Sequence, residues 1–147
     1  MKKIILILSL VMTANLAAQG DKHEKIKALK AAHITEALSL TATEAEKFWP
    51  IYNAYEDKMH DLRKAERKEI LGPLRNEGLE TMTDAQANAL IDKALVFKQN
   101  DVTYRTEMLN ALRKVISPKK VIKLKKAEDD FKKQLLERYR NKRREKR

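Results

Sequence analysis

Long stretches without glycine or proline constrain this chain more than any other feature of its sequence. It has three glycines and three prolines, and neither type occurs between Gly78 and Pro118. The stretches between them are rich in Ala, Leu, Lys, Glu and Arg, which are strong helix formers. We therefore predict an all-α fold of long helices. Aromatic residues make up only 5% of the chain, so we expect a thin core.

Three places along the chain carry the side-chain pattern of a helix start. Two are capping boxes, in which a Thr hydroxyl accepts from the backbone N–H three residues later and a Glu or Gln reaches back to the Thr N–H. The third is a serine followed by proline at the first helical position, where proline is preferred. The first start comprises Leu40, Thr41 and Glu44, the second Thr83 and Gln86, and the third Ile116, Ser117 and Pro118. Together with the apolar periodicity, they predict four amphipathic helices at about 22–38, 42–71, 84–115 and 118–140.

The second predicted helix begins with a cluster of aromatic residues. Phe48, Tyr52 and Tyr55 recur at i, i+4 and i+7, which places them on one helical face, and Trp49 is their neighbour. Core packing is the favoured interpretation of this cluster, and contact with a binding partner is the alternative. Pro50 inside the helix predicts a bend. Gly72 followed by Pro73 predicts the end of the same helix.

The N-terminus has the order of a secretory signal peptide. Lys2 and Lys3 precede an apolar run over residues 4–12, and small alanines follow up to Ala18. A retained membrane anchor would need about 20 apolar residues, which is longer than this run. We therefore predict a cleaved signal peptide at 1–18, a helical domain at 19–137 and a basic tail at 138–147.

The net positive charge of the predicted mature chain lies in its last segment. Residues 119–147 contain fourteen Lys and Arg against five Asp and Glu. We expect the tail itself to stay extended by self-repulsion. Its cations suit an anionic membrane surface or acidic segments of other proteins. The alternative is a solvated tail without a partner. Binding to nucleic acid is not expected, because the predicted signal peptide exports the protein from the cytoplasm. The basic tail residues are Arg138, Arg140, Lys142, Arg143, Arg144, Lys146 and Arg147.

The sequence offers no constellation for catalysis. There is no cysteine and no Gly-rich phosphate loop, and no Ser or His spacing suggests a nucleophile with its base. We therefore predict a protein that is not an enzyme and carries no cofactor. Glu56 and His60 lie one turn apart and could supply two metal ligands, with a third from Met59 or His23. Because zinc normally takes three or four ligands, a metal sensor is only a lesser alternative.

The helix starts resemble the LTxxQ motifs of the Spy/CpxP family of periplasmic proteins. The segment 40–44, LTATE, is similar to the first motif with Glu as its last residue, and 116–120, ISPKK, is similar to the second. The run FWPIY at 48–52 resembles the branch labelled as sensors of extracytoplasmic-function (ECF) sigma factors. The resemblance implies an extended, curved arrangement of the four helices, and motifs that shape helix junctions.

The resemblance also implies a function in the envelope. Members include ATP-independent chaperones, adaptors of envelope-stress signalling and metal-responsive proteins. We therefore expect a periplasmic, stress-associated protein that binds exposed segments of unfolded or envelope proteins. The alternative is a signalling adaptor that contacts a membrane sensor or an anti-sigma factor. Since the long second and third helices have few partners within one chain, we also expect a homodimer.

Overall fold

The computed structural model describes residues 24–76 and 78–145, and these form helices and connecting turns without any strand. Helix α1 covers 24–38. Four further α-helices follow, and a π-helical turn at Arg67–Leu71 joins the first two of them. They are α2 (Ala42–Glu66), α3 (Gly72–Asn76), α4 (Asp84–Leu112) and α5 (Pro118–Glu145). The prediction of an all-α chain with four long helices is confirmed. The predicted signal peptide lies outside the described residues.

The second helical segment does not end at Gly72 and Pro73, so that prediction is wrong. Gly72 has the right-handed helical φ of −60°, and its N–H bonds to the carbonyl of Arg67, five residues earlier. In a regular α-helix, Pro73 could not donate a backbone hydrogen bond, because proline has no N–H. Its ring would also clash with the carbonyl four residues before it. A π-turn shifts the hydrogen-bond register by one residue just ahead of the proline. The helix therefore continues to Asn76.

Two further helix ends differ from the prediction. Helix α4 ends at Leu112 and not near 115, because residues 113–115 tighten into a turn in which Val115 N–H bonds to the Leu112 carbonyl. Helix α5 continues to Glu145, so most of the predicted extended tail is helical. Basic side chains close to a helix C-terminus interact favourably with the helix dipole, which offsets part of their mutual repulsion.

The described residues divide into two compact units, one formed by residues 41–76 and 78–121 and the other by residues 24–40 and 122–145. In the first unit α2 packs against α4, and the cross-helix pairs Lys58 with Glu107 and Glu66 with Lys98 show that the two helices run antiparallel. Its buried side chains are Phe48, Tyr52, Tyr55, Met59, Met108, Leu112, Ile116 and Val121. In the second unit the buried side chains are Ile34, Leu38, Leu124 and Ala127.

A left-handed residue ends α1. Ser39 has a φ of +48°, its N–H bonds to the Glu36 carbonyl at 2.9 Å, and the Leu40 N–H bonds to the Thr35 carbonyl at 3.0 Å. These two bonds form a Schellman motif, which normally has glycine at the left-handed position. No helix among the described residues is both long enough and apolar enough to cross a membrane.

Candidate interaction surfaces

The aromatic cluster lies along the buried face of α2. Phe48 is 0% exposed, its ring stacks on that of Tyr52 at 5.5 Å, and Trp49 meets both rings edge-on. The Tyr55 hydroxyl accepts a hydrogen bond from the Arg105 guanidinium at 3.2 Å. Trp49 keeps part of its surface in solvent. The three residues on the predicted face are therefore buried, Tyr55 joins α2 to α4, and Trp49 borders the surface.

The first and last helix starts meet through an ion pair. The Glu44 Oε2 atom accepts from the Thr41 N–H at 2.9 Å, as the capping box requires, and it also accepts from the Lys120 Nζ at 2.6 Å. The hydrogen bond from Lys120, and then that from the Thr41 backbone, hold the pKa of Glu44 below its ordinary value of 4.5. Lys120 is in turn positioned by Ser117, whose hydroxyl accepts from the Lys120 N–H at 3.4 Å.

This pairing was not predicted from the sequence. Glu44 and Lys120 are the last residues of the two LTxxQ-like segments, and they carry opposite charges at that shared position. The opposite charges at this shared position were the sequence signal from which the ion pair could have been predicted. The second capping box is also present, with Gln86 N–H donating to the Thr83 hydroxyl at 3.3 Å, and its side chains are exposed to solvent.

Charged pairs line the edges of the α2–α4 packing. The Lys58 ammonium lies 2.8 Å from the Glu107 carboxylate and 5.1 Å from the centre of the Tyr104 ring. The hydrogen bond to Glu107 raises the pKa of Lys58. Near the π-turn, Lys98 lies 3.9 Å from Glu66. Since these side chains are well exposed, each pair contributes little to stability and mainly favours one alignment of the helices.

An exposed apolar stripe runs along α4 beside the edge at which Lys98 pairs with Glu66 of α2. Ile91, Leu95 and Val102 are 56%, 63% and 60% exposed. Their spacing of four and seven residues places them on one helical face, which also carries Lys98. We call these four residues the outer stripe. It is distinct from the buried face that contains Met108 and Leu112. The outer stripe was not predicted from the sequence, although its spacing of four and seven residues is visible there.

The basic residues predicted as a tail are the solvent-exposed end of α5. Arg138, Arg140, Lys142, Arg143 and Arg144 are all exposed on this helix, whereas Lys146 and Arg147 lie outside the described residues. One side of the helix end also carries the apolar side chains Leu135 and Tyr139. The helix therefore presents its cations next to an apolar surface and not on a separate flexible segment.

The two histidines that the structure describes have different surroundings. His60 is exposed on α2 with Glu56 one turn away, and His33 on α1 packs against Phe131 at 5.7 Å between ring centres. The part of the chain that the structure describes places no group of three His, Asp or Glu side chains where they could hold a metal ion. His23, the third predicted candidate, lies outside the described residues.

Comparison with known proteins gives no relative. No family model, no curated protein sequence and no solved structure matches this chain.

Proposed function

We propose that the protein is exported to the periplasm and binds exposed segments of unfolded or envelope proteins there, without ATP. The observation that carries this proposal is the outer stripe, because contiguous exposed apolar side chains mark surfaces that bind other proteins. Lys98 within the stripe is 73% exposed at its side chain and lies 3.9 Å from Glu66, so a charged pair stands beside the aliphatic contacts. A surface of this mixed kind suits weak binding of varied segments. The resemblance to Spy/CpxP proteins supports the same proposal.

The test is suppression of aggregation of several unrelated proteins, with a matched pair of variants. Val102→Ser changes the outer stripe, and Val96→Ser changes a valine with the same 60% exposure on another side of α4. Leu95, next to Val96 in the chain, lies about 100° away around the helix axis. We expect the wild-type chain and Val96→Ser to protect at near-stoichiometric amounts and Val102→Ser to protect less. Equal loss in both variants would contradict a role for the stripe.

A signalling adaptor is the alternative function, and breadth of binding separates the two. The observation in its favour is the basic end of α5, which suits one acidic partner such as a segment of a membrane sensor or anti-sigma factor. An adaptor would protect none of the aggregating proteins and would bind one partner tightly. Pull-down from an envelope fraction with the wild-type chain, compared with the Val102→Ser variant, would show whether one partner or many are retained.

We also propose that the chain forms a homodimer. Pairing of two chains through α4 would cover part of the outer stripe and would there compete with the binding of unfolded proteins. Light scattering at tens of micromolar gives the mass directly. A dimer that becomes monomeric on Leu95→Ser would place the subunit interface on the stripe. A monomer that still suppresses aggregation would show that the stripe serves other proteins and not a second copy.

A further inference from the structure

A groove runs between α1 and the C-terminal half of α5, within the unit formed by residues 24–40 and 122–145. Its larger part has a volume of about 1040 Å³, which is at the upper end of the range of about 300–1,000 Å³ usual for ligand pockets. The smaller part has about 200 Å³. Leu29, Leu135 and Arg138 line both parts, so the two are direct neighbours.

The larger part of the groove combines an apolar floor with a basic rim. Ile26 and Tyr139 extend the floor that Leu29 and Leu135 begin. The rim carries Arg138, Lys142 and Arg143, together with one carboxylate, Glu145. An apolar channel beside several cations is complementary to a molecule with a hydrocarbon chain and an anionic head.

The smaller part of the groove contains a buried polar atom without a partner. The Nε2 atom of His33 is inaccessible to solvent and makes no hydrogen bond. Buried polar side-chain atoms are hydrogen-bonded as a rule. Because Nε2 is closed off from solvent, a group bound in the pocket that His33 lines supplies this missing partner only after the ring turns toward it. Gln134 and Arg138 line the same pocket, and both side chains can donate hydrogen bonds to a group bound there. Glu36 is the one acidic residue in the lining of this pocket.

We propose that this groove binds a single-chain anionic amphiphile, such as a fatty acid or a lysophospholipid. Its carboxylate or phosphate head lies against Arg138, Gln134 and the His33 imidazole, and its chain lies over Leu29, Leu135 and Tyr139. Arg138 lines both parts of the groove. It therefore lies where the anionic head in the smaller part meets the hydrocarbon chain in the larger part. The proposal goes beyond the binding of unfolded proteins and uses none of the outer-stripe residues.

The test titrates the wild-type chain with alkyl carboxylates and alkyl phosphates of eight, ten and twelve carbons, below their micelle concentrations. The affinity is measured by calorimetry and the His33 ring by side-chain NMR. Each buried methylene should tighten binding about fourfold. The uncharged alkyl glucoside of equal length should bind at least about tenfold more weakly, a loss in the range of one charged hydrogen bond. The His33 ring resonances should shift, while those of exposed His60 on α2 serve as the internal control and should not.

Three variants test whether binding depends on residues of the groove or only on general attraction between charges. Arg138→Ala should weaken binding about tenfold or more, and Lys123→Ala, which removes an exposed cation elsewhere on α5, should not. Leu135→Ser should reduce the dependence on chain length. Circular dichroism of each variant checks that the helices are intact, and Leu29→Ser replaces Leu135→Ser if the latter unfolds.

Four outcomes would overturn the proposal. If Arg138→Ala and Lys123→Ala weaken amphiphile binding equally, the binding is only general attraction of anions to a basic helix. The same conclusion would follow if the affinity did not depend on the length of the alkyl chain. Binding to phosphatidylglycerol vesicles without binding to the monomeric amphiphiles would make the surface a membrane contact. Binding to an acidic helical peptide alone would make it a protein contact.

Discussion

Two leucines of α4 provide a direct test of which helix face is buried. Leu112 is 0% exposed and Leu95 is 63% exposed, so Leu→Ala at these positions makes the same chemical change in opposite surroundings. At Leu112 the substitution removes three buried carbon groups at about 0.8 kcal/mol each, about 2.4 kcal/mol in all. The cavity left behind raises the loss in the free energy of unfolding to about 3–5 kcal/mol. At Leu95 we expect a change within about 0.5 kcal/mol.

Urea unfolding followed by circular dichroism at 222 nm measures both changes. The titrations are carried out at two protein concentrations, because self-association would make apparent stability depend on concentration. A loss at Leu95 that appears only at the higher concentration would mean that the outer stripe is covered in a dimer. A loss at Leu95 as large as that at Leu112, at both concentrations, would refute the assignment of the two faces.

Three further substitutions test local features. Ser39→Gly relieves a left-handed residue and should raise the free energy of unfolding by about 1 kcal/mol, whereas a loss in urea titration would show that this turn is not strained. Glu44 has a lowered pKa, so its contribution to stability is present above its ordinary value of 4.5 and is lost as the pH falls through the folded value. The difference in melting temperature between the wild-type chain and Glu44→Gln should therefore shrink from pH 6 to pH 3, and a constant difference would contradict the pairing with Lys120. Tyr55→Phe removes the acceptor for Arg105 and should cost about 0.5–1.5 kcal/mol in the same urea titrations. No measurable change there would mean that the hydrogen bond contributes nothing.

The local chemistry of the helix starts was predictable because each capping box is complete within four residues. Thr41 with Glu44 and Thr83 with Gln86 form the expected reciprocal bonds, and these depend on no distant part of the chain. The end at Gly72 was not predictable by the same means. Glycine in the left-handed conformation and glycine in a helix have the same local sequence signal, and the π-turn before Pro73 has no signature of its own.

The candidate sites were harder to predict, because each depends on which residues the fold brings together. The ion pair between Glu44 and Lys120 joins residues 76 positions apart in the chain. The outer stripe required knowing which face of α4 contacts α2, since both faces carry aliphatic residues with helical spacing. The surroundings of His33 could not be predicted either. Its contact with Phe131 and its nitrogen without a hydrogen bond depend on residues distant in the sequence.

The basic end of α5 shows how one local error changes a functional interpretation. A tail extended by self-repulsion would present its cations without any ordered surface, and only general attraction to anions would follow. Because the helix continues to Glu145, the side chains of Leu135, Tyr139 and Arg143 line one groove, and cations stand beside an apolar floor. Charge alone recruits any anion, whereas charge beside an ordered apolar channel distinguishes an amphiphile from a simple salt. The helical state of these last turns is therefore the condition on which selective binding depends.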